Sequence, residues 1–536
     1  MGMHSTFNVY VFLLLIIAFL VMVAQRIKIA FPIVLVIGGL ILSFIPGLPE
    51  LRIDPEVVLT IFLPPLLYEA AWSTSLKDFY KWRRVILSFA FIIVIVNACV
   101  IAFVSKNLIP GFTLALGFLL GGIISPPDAI SASTVMKSID VPKRMIAIVE
   151  GESLLNDASS LIVFRFALAA IITGQFKFSV AAGEFVIVVI MGTLVGIAIA
   201  YLFYAIHRYL PTTPELDVML TFITPYIMFI VAERFHFSGV LAVVSGGLLL
   251  SSKRQTMLSY VSRLRGLNVW GVFSFILNGF IFILIGLQLP VIVRGLGSIS
   301  LGDAIKYSLI ISGVLIVARE LCCLGAAVFT RFVSRFITTA DSHPGWREPL
   351  VFGWAGMRGV VSLAAALSIP EMLNAAPFPY RNLILFITFS VILVTLVFQG
   401  LTLPFIIKKL HLREKDYLIP VERMEVKIRK KLSAAAVRTL DEKFGDHSKT
   451  NHLISALRSR MENDVSIMED LMKDGESEES KQKIAAYEAA VITVLADQRQ
   501  MLQQMNRKAE VSEELIKEFL LMLDQEEDLL RRRFRQ

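Results

Sequence analysis

The stretch "EGESLLNDASSLIVFRFALAA" runs from Glu150 to Ala170 and is apolar enough over most of its length to cross a bilayer. Yet Glu150, Glu152, Asp157 and Arg165 lie inside or beside it. A charge deep in a membrane helix is costly and is retained where it faces protein, a partner charge or a water-filled cavity. Helical spacing separates these charges. Ser153, Asn156, Asp157 and Ser160 follow an i, i+3, i+4, i+7 pattern and share one face. Glu152 precedes Asp157 by five residues, about 140° round the helix, so the two acids do not serve one site. Asp157 belongs with the polar stripe. Glu152 needs a different partner, and Arg319, midway along another apolar run, is the candidate. A buried pair of that kind serves architecture or gating more than net stability.

The rest of the chain sets this segment in a membrane. Of 536 residues, 56% are hydrophobic and only 18% are charged, and the mean hydropathy is +0.70. That balance excludes a soluble globular domain and marks an all-α polytopic membrane protein. Cys99, Cys322 and Cys323 lie in apolar runs and read as small buried residues, not as a disulfide framework. Spanning-length apolar runs fall at about 7–24, 30–46, 55–73, 85–108, 113–135, 145–173, 179–207, 216–233, 237–251, 269–293, 303–330, 349–370 and 382–407, which makes about 13 helices. The first has no basic leader or clear cleavage site and reads as a retained helix. The eighth and ninth are separated only by Glu233 and Arg234, a short turn or a kink.

Basic residues alternate with these runs. Arg26 and Lys28, Lys77 to Arg84, Lys137 to Arg144, Lys253 to Arg265, Arg331 to Arg347, and Lys408 with Lys409 mark one side. The other side carries about one each, as at Arg52, Lys106, Lys177, Arg294 and Arg381; only the loop with Arg208 departs from the pattern. The positive-inside rule then puts the N-terminus outside and the C-terminus in the cytoplasm, with the cell (plasma or inner) membrane as the expected location. The net charge of +8 belongs to the membrane part, because the last 126 residues are close to neutral, so no nucleic-acid partner is expected. We expect a transmembrane domain over 1–410 and a helical cytoplasmic tail over 411–536, packed on itself or on a twin, with "KDGESEESKQ" as a solvated linker.

Two runs look broken. The fifth contains "LGGIISPPDAISAS", with Pro126 and Pro127 at mid-depth, and the twelfth contains "FGWAGMRGVVSLAAA", with Gly353, Gly356 and Gly359. Proline removes backbone donors and glycine loosens a helix, and irregular backbone at that depth is tolerated only inside protein or beside water. An odd offset of seven makes the fifth and twelfth counterparts in inverted repeats, the plan of a secondary transporter with its site where the broken helices cross. Each break carries one charge, Asp128 and Arg358, placed to neutralise half-helix dipoles, to bind an ion, or both. Oxygen ligands without histidine or thiol suit hard monovalent cations. Burial also disfavours a charged carboxyl, so that proton and cation compete for Asp157. That competition alone yields exchange if the empty, charged site does not readily cross.

At these residues the chain resembles the monovalent cation:proton antiporters that include the bacterial and animal sodium/proton exchangers. "GESLLNDAS" (Gly151–Ser159), "SPPDA" (Ser125–Ala129), "GMRGVVSLA" (Gly356–Ala364) and "LPPLLYEAAW" (Leu63–Trp72) carry the resemblance, over roughly residues 10–410. It implies a six-helix core moving against a dimerisation domain, and a homodimer. By the resemblance, Asp157 is the main cation and proton carboxylate, Asn156 supports it, Ser153 is a ligand, and Asp128 and Glu69 hold the site directly or through water. Glu152 would pair with Arg319. Asn156 before Asp157 resembles the electroneutral branch, one cation for one proton. Transported Na+ (or Li+ or K+) and H+ are then the partners besides the lipid bilayer, with no cofactor and no enzymatic activity. The "PPD" order differs from the more familiar Thr-Asp-Pro form, and Arg165 stands where many exchangers are apolar; it would pair with an acid or line the outer vestibule.

Three other functions would leave different marks in the sequence. A cation channel would need a continuous polar pore, whereas the charges converge on one site. An intramembrane serine protease would need a base, and His207 and His236 lie far from the Gly-x-Ser of "GESL". A membrane sensor would use the tail as its output, and removing the tail would abolish its signal.

Overall fold

The computed structural model describes residues 3–45, 58–139, 141–174, 178–297, 299–336, 341, 345–373, 376–412, 421–473, 478–505 and 513–534. Arg52, Lys177 and the centre of the expected linker lie outside them. Contacts divide the chain into Met1–Glu414 and Lys415–Gln536.

In the first unit every apolar run is occupied by a helix or by two half-helices. They are α1 (Met3–Ile27), α2 (Phe31–Leu42), α3 (Leu63–Ser73, after a π-helical turn at Val58–Phe62), α4 (Leu76–Leu108), α5a (Leu114–Ile124), α5b (Ala129–Lys137), α6 (Lys143–Thr173), α7 (Phe178–Tyr209), α8 (Pro214–Arg234), α9 (Gly239–Met257), α10 (Tyr260–Leu287), α11 (Leu301–Val333), α12a (Arg347–Trp354), α12b (Val360–Leu367) and α13 (Arg381–Leu410). Among the described residues, eight helices are long and apolar enough to cross a membrane by themselves. Among the described residues, strand is confined to a two-residue pairing of Met372–Leu373 with Ala376–Pro377.

Side-chain caps set many of the starts. Ser75, Thr113, Thr213, Ser238, Ser259 and Ser300 each accept a hydrogen bond from a backbone N–H in the first turn of the helix that follows, satisfying donors that a helix start leaves open. One start differs from the sequence reading. The fourth run begins at 85 by hydropathy, but α4 begins at Leu76, so Lys77, Lys81, Arg83 and Arg84 lie on its first turns and not in a loop. Long basic side chains keep their heads in water while their stems cover apolar surface, and a helix therefore continues past the end of its apolar run. The eighth and ninth runs are two helices. The turn between them carries His236 in the left-handed region (φ 61°).

The helices sort into two groups. In one, α7 packs on α8 and α9, α9 on α3, and α10 on α1 and α2. In the other, α4 packs on α5a and α6, α5a on α6, α11 on α4, α12a and α13, and α12b on α13 and α5a. We call these the panel and the core. They meet where α3 and α9 touch α6 and where α10 touches α12b. The core contains both broken helices, one among α4–α6 and one among α11–α13.

The second unit holds α14 (Val421–Thr450), α15 (His452–Lys473), α16 (Glu478–Met505) and α17 (Glu513–Phe534). Packing pairs α14 with α15 and α16 with α17. Each pair carries one arginine fork. Arg458 bonds Asp441 at 2.8 Å, and Arg499 bonds Asp524 at 2.8 Å and Glu527 at 2.7 Å. The expected linker is shorter than its composition indicated, because α16 already begins at Glu478.

Candidate functional site

The two breaks cross in the core. α5a ends at Ile124 and α5b starts after Asp128; α12a ends at Trp354 and α12b starts after Gly359. Their backbones are stitched together, the Asp128 N–H donating to the Met357 carbonyl at 2.7 Å. The two expected charges occupy opposite poles of the crossing. Asp128 caps α5b: its carboxylate accepts from the Ile130 N–H at 3.0 Å and from the Ser131 hydroxyl at 2.9 Å. The same carboxylate lies against Gly359 at the start of α12b, where an added Cβ would come within 2.5 Å of Oδ2. Arg358 is fully buried and donates to the Ile124 carbonyl at 3.0 Å and to the carbonyls of Gly356 and Ser125. A carboxylate at two helix N-termini and a guanidinium at two C-terminal carbonyl ends each oppose the local dipole. That is how backbone without regular hydrogen bonds is held at this depth.

α6 crosses beside the breaks. A cavity of about 330 Å³ runs between core and panel and is lined by Asp157, Ser153, Asp128, Glu69, Asn278 and Ser362, among others. Asp157 is 7% exposed, and among the described residues no protein donor reaches its carboxylate. Ser153 accepts from the Ala129 N–H at 3.2 Å, so its hydroxyl also braces the break. Glu69 comes from α3 in the panel. The polar stripe on α6 therefore divides in three dimensions. Ser153 and Asp157 line the cavity. Asn156 turns to the crossing, donating to the Pro127 carbonyl at 2.8 Å, while its Oδ1 is buried without a partner. Ser160 bonds back to the carbonyl of Asp157 on its own helix. Spacing alone assigned all four one face; the prolines freed a carbonyl that captures Asn156.

Glu152 points away from the cavity. Arg319 donates to it with both terminal nitrogens, at 2.8 and 2.9 Å, and also to the Phe352 carbonyl at 3.3 Å, joining α6, α11 and α12a. Each side chain of the pair is 1% exposed. Glu150 lies at the cavity mouth in an ion pair with Lys137 of α5b at 2.8 Å.

Other charges find places that spacing did not show. Arg165 of α6 pairs with Glu233 of α8 at 2.6 Å. His207, at the end of the seventh apolar run, is buried with its Nδ1 2.8 Å from Asp217, which also accepts from the Ser262 hydroxyl at 2.6 Å. Sequence offered one signal for that network, three polar residues near the ends of apolar runs; their meeting is tertiary. His207 is not among the residues that line the cavity beside Ser153. Glu184 is exposed on α7. Both carboxylate oxygens of Glu320 are buried without a hydrogen bond beside Gly353.

Known proteins place this geometry. A family model described as "Sodium/hydrogen exchanger, transmembrane" matches residues 11–409. The chain is 30% identical over 442 residues to a "Sodium, potassium, lithium and rubidium/H(+) antiporter" of Bacillus pumilus, a match that covers 80% of this chain and 64% of that longer protein. It is 28% identical over 499 residues to the "Uncharacterized Na(+)/H(+) exchanger YjcE" of Escherichia coli, covering 90% of each. The sodium proton antiporter MjNhaP1 of Methanocaldococcus jannaschii, solved at pH 8, has the same fold, with a TM-score of 0.62 at 17% identity over 76% of this chain and 99% of that one. With its family model spanning nearly the whole first unit, the chain belongs to the sodium/hydrogen exchanger family.

Proposed function

We propose that this protein is a secondary active antiporter that exchanges a monovalent cation, Na+ first and Li+ or K+ alternatively, for H+ by competition at Asp157. The observation that carries the reading is a nearly buried carboxylate, with no protein donor among the described residues, that lines a cavity of about 330 Å³. Such a group needs a proton or a cation to offset its burial, and one carboxylate does not hold both. Ser153 and, through water, Asp128 and Glu69 complete an oxygen environment suited to a hard cation. Asn156 holds the unwound segment in place and presents its unpartnered Oδ1 nearby. Glu152 with Arg319, and Arg358 at the crossing, hold the frame.

Exchange follows if the core rocks against the panel only when Asp157 is occupied. The family's relatives support this class of activity: the Bacillus pumilus relative is named for sodium, potassium, lithium and rubidium. We further propose a one-to-one, electroneutral stoichiometry, in which Asp157 trades one charge for another. The protein is read as a homodimer in the cell (plasma or inner) membrane, with its N-terminus outside and its C-terminus in the cytoplasm. The distribution of basic residues supports this orientation. The exposure of α7, only 17% buried over its apolar window against 72% for α13, supports a panel face open to lipid or to a second copy.

Asp157→Asn in proteoliposomes tests the reading. Cation-driven proton movement should vanish while the variant still folds; normal exchange by that variant removes Asp157 from its role. Exchange unaffected by an imposed membrane potential would agree with electroneutrality, and a strong dependence would refute it.

A further inference from the structure

Two ion pairs flank Asp157 along α6, and they differ in what they join. Glu150 lies seven residues before Asp157 and pairs with Lys137, core to core. Arg165 lies eight residues after it, about 12 Å along the helix axis, and pairs with Glu233, core to panel. The cavity reaches only one of them. Its α6 lining is Glu150, Ser153, Leu154 and Asp157, with no residue beyond Asp157. On the far side the half-buried Leu161 packs against both apolar clusters, each of which draws on panel and core helices, and takes the place of a seal beyond Asp157. Arg165 stands one turn past that seal.

Glu233 is built as a fixed anchor. It sits in the last turn of α8, and its second oxygen accepts from the Gly239 N–H at 3.0 Å, at the start of α9. The carboxylate is thus tied to the panel backbone while its free oxygen holds the guanidinium of the core. A pair across the boundary between two bodies that must move has a different consequence from one within a body. It exists in the state seen here and must part when the far side opens.

We propose that Arg165–Glu233 is the latch that holds the exchanger closed on the face opposite the cavity mouth, and that its parting accompanies each opening to that face. This rests on the alternating-access reading above. Both residues are positioning residues: neither lines the cavity. The pair is partly exposed, with side chains 44% and 29% accessible, and pairs of that kind contribute modestly, so the expected shift is about two- to fivefold.

Apparent cation affinity on a face is scaled by the fraction of protein open to it. Arg165→Gln and Glu233→Gln should each raise the apparent KM at the mouth face and lower it at the opposite face, measured in membrane vesicles of both orientations. Arg165→Lys, which keeps the charge and leaves the Glu233 anchor intact, should shift the ratio less than Arg165→Gln. In a background lacking the native cysteines, Leu161→Cys should be labelled faster from the opposite face by an impermeant thiol reagent once Glu233→Gln is added. Glu233→Gln alone suffices should Arg165 variants not fold. An unchanged ratio, a parallel change at both faces, or Arg165→Lys no better than Arg165→Gln overturns the latch. Wild-type vesicles without cation-driven proton movement would instead refute the exchange reading itself.

Discussion

Two carboxylates five residues apart on α6 meet different fates because of helical angle. Glu152 is turned into a dry contact with Arg319, and Asp157 is turned into the cavity. The difference predicts opposite phenotypes. Glu152→Gln leaves the Arg319 guanidinium buried with its main partner gone, a loss of about 3–5 kcal/mol. It should lower the thermal stability of the purified protein sharply. Asp157→Asn removes a charge that has no protein partner, so its melting temperature should hold or rise while exchange is lost. A Glu152→Gln protein of full stability that no longer binds cation would show the two roles to be exchanged. That the two acids face different neighbours was legible from residue spacing. The place of Asn156 was not, because its partner is a carbonyl released by prolines 29 residues away.

At the scale of the element, the crossing of α5 and α12 depends on Gly359. A methyl there would approach Oδ2, Cβ and Cγ of Asp128 at 2.5–2.7 Å, with no flexible chain end to yield. Overpacking of this kind costs about 1–3 kcal/mol, and here it also displaces the cap of α5b. Gly359→Ala should reduce turnover by roughly tenfold or more and reduce heat stability with it. The tail offers a pH-dependent element. The Arg458 guanidinium holds the Asp441 carboxyl below its usual range. A depressed carboxyl stabilises the α14–α15 pair above the unfolded value and loses that contribution as pH falls through the folded one. Hydrogen-exchange protection near Asp441 and Arg458, taken relative to the intrinsic rate at each pH, should therefore fall below about pH 4, and Asp441→Asn should flatten that dependence. The effect is small, because both partners are exposed.

For the whole molecule, every residue assigned to the site lies in Met1–Glu414. Ending the chain after Glu414 should leave measurable cation-driven proton movement in proteoliposomes. Its complete loss, with the truncated protein folded and in the membrane, would make the tail part of the transport machinery and favour the sensor reading. Panel and core are each internally packed and meet at few elements, which suits relative movement of the two. Arg165 and Glu233 fall on that boundary, and only at this scale does their pairing have a consequence.

The sequence by itself determined the class, the broken helices and the separation of Glu152 from Asp157. Each follows from local quantities: hydropathy over twenty residues, the missing donors of Pro126 and Pro127, and the angle between positions five apart. Hydropathy misplaced the start of α4, since a helix end follows caps and snorkelling side chains as well as apolar content. Tertiary structure alone decided which groups meet across helices: Asp128 against Gly359, Arg358 on the carbonyls of α5a, His207 with Asp217, and Arg165 with Glu233. Those meetings depend on how helices far apart in the chain cross, and no periodicity within one segment encodes the rotation of its neighbour.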